Sequence, residues 1–195
     1  MIHDVITVVS GLPRSGTSMM MKMLEAGGMQ LLTDNLRAAD ADNPQGYYEF
    51  ERVKQIARDQ LWLADAKGKA VKIISALLKH LPPDYRYQVI FMRRQIEETL
   101  ASQRQMLIRR GETTDTVSDE RMADLFRRHL LQLKTWLKRQ PNMAILHVEY
   151  SEIIADPAEQ AKKINQFLDN ALEVEAMASV VESSLYRQRD KQFSA

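Results

Sequence analysis

A single stretch near the N-terminus constrains the fold more than any other. Ile2 to Val9 is almost continuously apolar, with β-branched Val5, Ile6, Val8 and Val9. Such density suits a strand buried on both faces, as in a parallel sheet, rather than one wetted on alternate residues. Gly11 to Gly16 then breaks the run with glycine and proline, and Thr17 to Ala26 carries the Met and Leu of a helix that stops at Gly27-Gly28. A strand, a glycine-bearing loop and a helix therefore follow in immediate succession.

The same alternation continues along the chain. Further strands are expected at Ala70–Ile74, Tyr87–Met92 and Ala144–Val148, with Met29–Thr33 as a short fifth. Helices are expected at about Tyr48–Leu63, Leu77–Leu81, Gln95–Arg110, from the Ser118 cap onward, from Pro157 onward and at Val174–Leu185. Ser118 with Asp119 and Glu120, and Asp156-Pro157-Ala158-Glu159, carry strong helix-start chemistry. The pattern predicts an α/β fold: a three-layer α/β/α sandwich on a mainly parallel sheet of four to five strands, P-loop-like, as one domain over 1–195. Ligands are then expected beyond the carboxyl ends of the strands.

Composition narrows the chemistry. Lys and Arg number 27 against 26 Asp and Glu, for a net charge of +1, so a nucleic-acid coating role is not expected. There are no cysteines, which removes disulfides, thiolate metal sites and a cysteine nucleophile. The 4 His stand singly without metal-ligand spacing, so no metal site is expected. No run approaches the roughly 20 apolar residues of a membrane span, and no secretory signal is evident, so a cytoplasmic location is expected. The oligomeric state stays open, a homodimer included.

The loop Gly11-Leu12-Pro13-Arg14-Ser15-Gly16-Thr17-Ser18 has the makings of an anion nest. Successive amides and the first turn of the following helix can surround an anion. Arg14 adds a multi-donor cation, and Ser15, Thr17 and Ser18 add hydroxyls. It nearly matches the nucleotide loop G-x-x-x-x-G-K-S/T, but Thr17 stands where the lysine belongs, which weakens an Mg-ATP kinase reading.

Pro13-Arg14-Ser15-Gly16-Thr17-Ser18 resembles the 5′-phosphosulfate loop of the PAPS-dependent sulfotransferases, with the pattern P-(K/R)-(S/A)-G-(T/S)-(T/S/F). A second stretch agrees: Phe91-Met92-Arg93-Arg94 ends a strand and Ser102 follows Arg94 by eight residues, similar to the family's 3′-phosphate signature. His147-Val148-Glu149-Tyr150-Ser151-Glu152, with Asp156-Pro157 and Phe167-Leu168, is similar to a further, fold-supporting stretch of the family. The chain is short for the family, of small bacterial type, implying a reduced acceptor region.

The resemblance implies a sulfonate transfer from 3′-phosphoadenylyl sulfate to a hydroxyl or amine, in line and without a metal, leaving adenosine 3′,5′-bisphosphate. Pro13, Arg14, Ser15, Gly16, Thr17, Ser18, Arg94 and Ser102 are the implied nucleotide contacts, Arg14 touching the bridging oxygen. The acceptor would be a small molecule, a lipid or a sugar. A P-loop kinase and a non-catalytic nucleotide-binding module on the same fold are the alternatives. Since adjacent strand residues point to opposite faces, Arg93 and Arg94 should not share a role. Arg104, Arg109 and Arg110 are candidates for a positive rim, and Arg187 or Arg189 for a closing contact on the 3′-phosphate.

Lys72 interrupts an apolar strand and is expensive there unless its ammonium meets an anion or water; it is the first catalytic candidate. Aligning it with the lysine of the family's K-T-H-L-P-like segment puts Ile74 at the position of the usual histidine base. Glu49, in Asn43-Pro44-Gln45-Gly46-Tyr47-Tyr48-Glu49, is then the expected base, with Glu51 behind it; partial desolvation by the tyrosines would suit it to proton abstraction. Tyr47 and Tyr48 line the acceptor or pack. His129 reads as a satisfied core or interface histidine, His80 as a lesser crevice candidate, and His3 and His147 lack supporting groups. The polar stretch Gly111–Val117 reads as a lid.

Overall fold

A computed structural model describes residues 4–34, 36, 46–112 and 117–182. Four strands form one parallel sheet: β1 (Val5–Gly11), β2 (Ala70–Lys72), β3 (Arg86–Arg93) and β4 (Met143–Glu149), in the spatial order β2-β1-β3-β4. The helices are α1 (Thr17–Ala26), α2 (Ile96–Arg109), α3 (Asp119–Leu137), α4 (Tyr150–Ala155), α5 (Pro157–Phe167) and α6 (Val174–Ser179). They cover both faces, giving the expected three layers.

The two-residue repeat of the strands divides the core. Ile6, Val8, Val71, Tyr87, Val89 and Phe91 point to one face, where Leu133 and Leu137 of α3 close over them. Val9, Ile90, Met92 and Val148 point to the other, under Met20, Met21, Met23 and Leu24 of α1, Ile164 of α5 and Met177 of α6. The four α1 residues have no exposed surface, so burial contributes about 2 kcal/mol each. No described helix is long and apolar enough to cross a membrane.

Connections leave β1 toward β2 and leave β3 toward β4, in opposite directions along the sheet. The β1–β3 boundary is therefore a topological switch point, where a crevice opens at the carboxyl ends. The loop after β1 and the arginines after β3 flank that crevice.

Several expectations need correction. The region expected as one helix over Tyr48–Leu63 holds two separate 3-10 turns, Glu51–Gln55 and Leu61–Ala64. Asp59 accepts from the Leu61 amide at 3.2 Å and pairs with Arg52, so a local side-chain bond replaces the helical one. Leu77–Leu81 is the 3-10 turn Ser75–His80. The fifth strand reduces to one parallel bridge, Leu31 with Ala70. β2 ends at Lys72, short of the expected Ile74, and lies at the edge of the sheet among the named strands. α6 ends at Ser179 rather than Leu185, and α4 was not anticipated. The Asn43-Pro44-Gln45 turn, the centre of the 111–117 stretch, and Arg187 and Arg189 lie outside the described residues.

Candidate active site

The loop after β1 is shaped by two glycines. A Cβ on Gly11 would clash with Ser15 Oγ and lie 2.7 Å from the Met92 carbonyl oxygen of β3. Gly16 has φ 97° and lies against the Tyr150 ring. Arg14 also sits in the left-handed region, at φ 70°, which costs a non-glycine residue about 1–2 kcal/mol. That conformation turns its side chain toward α2, where Nε donates to Ser102 Oγ at 3.1 Å.

The amides of the first turn of α1 have no intrahelical acceptors by geometry. Gly16, the N-cap, supplies no side-chain bond to them, and no acidic residue occupies the turn. Beside them Ser15 is buried, at 2% exposure, and its hydroxyl has no hydrogen-bond partner among the described residues. An orphaned buried hydroxyl next to an uncapped helix N-terminus favours an anion. Pro13 is exposed on the outside of the loop.

Arg94 stands across the switch point. Its Nε donates to Glu98 Oε2 at 2.9 Å, with both side chains under a tenth exposed. Its guanidinium stacks on the Tyr150 ring, 4.6 Å from the centroid, and Nη1 donates to the Arg14 carbonyl at 3.4 Å. The loop after β1 and the strand-end arginine are thus in direct contact. Ser102 faces Arg14 rather than Arg94. Arg93 pairs with Glu149 at 3.1 Å, at facing positions of the β3–β4 register, and the two line the same cavity as Arg94.

A cavity of about 390 Å³ opens beside this cluster, lined by Leu12, Ser15, Phe91 and Arg94 below and by Arg127 and Leu130 of α3 at its side. Arg104, an expected rim cation, is instead paired with Asp119 at 2.7 Å, tying α3 to α2.

Lys72 forms the second cluster. Its ammonium donates to the Tyr47 carbonyl, lies 3.4 Å from Ser18 Oγ and 3.8 Å from Glu49 Oε1. Ser18 belongs to the first turn of α1, so the lysine–glutamate pair adjoins the anion loop. The Tyr47 side chain is buried, and Tyr48 donates to Glu25 at 3.1 Å. Burial and the neighbouring carboxylate push the Tyr48 phenol up to about 12. Glu51 pairs with Lys54 away from the cluster, at 2.7 Å. His129 bonds Ser75 through Nε2 at 2.9 Å, the satisfied histidine expected of it. His80 ends the 3-10 turn, where its carbonyl accepts from Gln60.

The chain matches the family model described as Sulfotransferase domain over residues 4–194. It belongs to the sulfotransferase family. Among solved sulfotransferase structures it is similar to STF1 from Mycobacterium tuberculosis H37Rv, with a TM-score of 0.59 and 19% identity over 93% of this chain and 73% of that one. It is similar to mouse sulfotransferase SULT7A1 complexed with PAP, at 0.56 and 18% over 94% of this chain. It is also similar to the sulfotransferase domain of the Synechococcus PCC 7002 olefin synthase, at 0.54 and 15% over 97% of this chain and 82% of that one. At these identities the likeness speaks for the fold. The chain spans 65% of the mouse protein's length. Among curated proteins no sequence matches significantly.

Tyr150 and Glu98 are members of the Arg94 cluster that sequence reasoning missed. Glu98 carried a signal, since it follows Arg94 by one helical turn. Tyr150 lay in a stretch read as fold support, and only the structure brings its ring under Arg94 and against Gly16.

Proposed function

We propose that the chain, as one sulfotransferase domain over 1–195, transfers a sulfonate from 3′-phosphoadenylyl sulfate to an acceptor hydroxyl or amine. The observation carrying this reading is the contact between Arg14 and the two halves of an anion site. Its side chain reaches Ser102 and its carbonyl meets Arg94, beside the buried Ser15 hydroxyl, which has no partner among the described residues. The residues present fit a nucleotide with phosphates at two positions.

The donor, when bound, supplies the activated sulfonate. The loop amides from Ser15 to Ser18 and the Ser15 hydroxyl would hold its 5′ end, beside Pro13. Arg94 and Ser102 would hold the 3′-phosphate. Arg14 and Lys72 would meet the charge that develops on the leaving oxygen, already in place before the reaction. Glu49, beside Lys72, would take the acceptor's proton. Thr17 stands at the usual lysine position of an Mg-ATP loop, which disfavours the kinase reading.

The test is sulfonate transfer from the donor in excess EDTA, with and without added adenosine 3′,5′-bisphosphate. Turnover that survives EDTA and is inhibited by the bisphosphate is expected. Bisphosphate binding with no turnover on any acceptor would instead favour the non-catalytic module. A strict requirement for magnesium and ATP would overturn the proposal in favour of the kinase.

A further inference from the structure

The segment from Gly46 to Glu51 is anchored along its length. The Tyr47 side chain is buried, and the Tyr48 hydroxyl donates to Glu25 in the last turn of α1 at 3.1 Å. Further on, the Asp34 amide donates to the Glu49 carbonyl at 3.2 Å, and the Asp34 carboxylate accepts from the Glu51 amide at 2.5 Å. Within this span Tyr48 sits at φ 51°, in the left-handed region. A residue with a Cβ is disfavoured there by roughly five- to thirtyfold in population.

The effect of that conformation falls one residue earlier. The Tyr47 carbonyl and the Tyr48 amide share one rigid plane, so φ of Tyr48 helps to aim the carbonyl. It accepts from Lys72 Nζ and from Ser18 Oγ, the latter at 3.5 Å, and Lys72 Nζ lies 3.4 Å from Ser18 Oγ. Ser18 belongs to the first turn of α1, whose N-cap supplies no side-chain bond. A backbone oxygen therefore sits where an ammonium, a hydroxyl and a helix N-terminus converge. Those surroundings suit an anionic oxygen better than a neutral carbonyl.

Strain and contacts belong to one and the same conformation. Half a turn of the Tyr47–Tyr48 peptide carries φ of Tyr48 into the ordinary negative range and withdraws the carbonyl from Lys72 and Ser18. Upstream, Gly46 has φ 90° and nothing within 4 Å of the place a Cβ would take, so the neighbouring backbone can follow.

We propose that Tyr48 is a positioning residue for the transfer: its strained backbone lodges the Tyr47 carbonyl against Lys72 and Ser18 as a stand-in for a sulfonate oxygen, and the arriving donor displaces that carbonyl by turning the Tyr47–Tyr48 peptide over. The Lys72 ammonium stays in place. Release of the strain offsets part of the lost carbonyl bonds. Once the sulfonate has passed to the acceptor, the remaining nucleotide offers Lys72 no oxygen at that place, and the carbonyl returns. The segment thereby distinguishes the sulfonated donor from the spent product. This inference rests on the proposed transfer and adds a moving part to it.

The test uses a feature of the sequence. Among the 6 Tyr, Tyr47-Tyr48 is the only adjacent pair, so a chain carrying tyrosine labelled at the carbonyl carbon and the nitrogen gives one carbonyl-to-amide NMR correlation, from this peptide. That signal, and the strong contact between the Tyr48 amide and α protons that a positive φ produces, are followed without acceptor. The probes are 3′-phosphoadenylyl sulfate, adenosine 3′,5′-bisphosphate and sodium sulfate. The donor is expected to shift the signal and weaken the contact, and the bisphosphate to do neither. Tyr48→Gly takes the left-handed conformation freely, so it is expected to weaken donor binding about five- to thirtyfold, with bisphosphate affinity within about twofold. Tyr48→Phe keeps the ring and the strain and is expected not to weaken the donor. Saturation by the donor with the positive-φ contact intact would overturn the displacement and leave the transfer reading standing. Equal action by the bisphosphate, or equal weakening of both nucleotides by Tyr48→Gly, would do the same. If neither nucleotide binds, the donor reading fails and sulfate decides the displacement: a turned peptide supports it, and an unmoved one overturns it.

Discussion

Arg94 donates a hydrogen bond to the main-chain carbonyl of Arg14 at 3.4 Å, joining the strand-end arginine to the loop after β1. The bond crosses the switch point of the sheet, so the two segments proposed to hold the donor's phosphates form one unit. Arg94 is in turn oriented by Glu98 and by the face of Tyr150.

Arg94→Ala should therefore do two separable things. It breaks the ion pair to Glu98, both of whose side chains are under a tenth exposed, at a cost of about 3–5 kcal/mol in stability. It also removes a phosphate ligand, weakening adenosine 3′,5′-bisphosphate about 10- to 100-fold. The double variant Arg94→Ala/Glu98→Ala should recover much of the stability but none of the affinity, read by denaturant unfolding and calorimetry. Recovery of both would make Arg94 purely structural.

Arg14 holds a backbone conformation that glycine adopts freely. Arg14→Gly should stabilise the fold or leave it unchanged, since about 1 kcal/mol of strain is released. The same change should weaken bisphosphate binding at least about tenfold, through loss of the cation. A thermal shift upward with affinity lost is the signature of strain kept for function; unaltered affinity would remove Arg14 from the site.

Lys72 adjoins the loop without belonging to it. Lys72→Ala should lower kcat about 10²- to 10³-fold while bisphosphate affinity stays within about threefold. Glu49→Gln should lower kcat at least about 10²-fold, because a carboxamide cannot take the acceptor's proton. Unaltered kcat would reassign the proton transfer.

Stability should respond to pH through His129. Burial, and secondarily Lys79, hold its imidazole below the ordinary histidine value. The unfolded chain therefore takes up that proton first as pH falls. Its contribution is full above the ordinary histidine range, declines as pH drops through it, and levels off below the folded value. His129→Gln, which can keep a bond to Ser75, should flatten the loss of stability between about pH 7 and 5. An unchanged slope would mean that other groups govern the acid limb.

The legible parts of the sequence were those where one local rule acts alone. The Val5–Val9 run could only be buried, the Ser118 and Asp156 caps do accept from the Arg121 and Glu159 amides, and the loop motif located the crevice. The 48–63 segment misled because helical spacing there competes with the Asp59 side-chain bonds, and the need to bury Val53, Ile56, Trp62 and Leu63 is met by turns. The site was legible as residue types in order. That Ser102 would serve Arg14, and that Tyr150 would stack under Arg94, depends on helix placements about which local sequence carries little information.

The most direct measurement of the central claim compares adenosine 3′,5′-bisphosphate with adenosine 5′-monophosphate by calorimetry, without magnesium. Two joined phosphate sockets call for the bisphosphate to bind at least about tenfold more tightly, and for Arg94→Ala/Glu98→Ala to erase that difference. Equal affinities for the two nucleotides, or no binding of either, would contradict it.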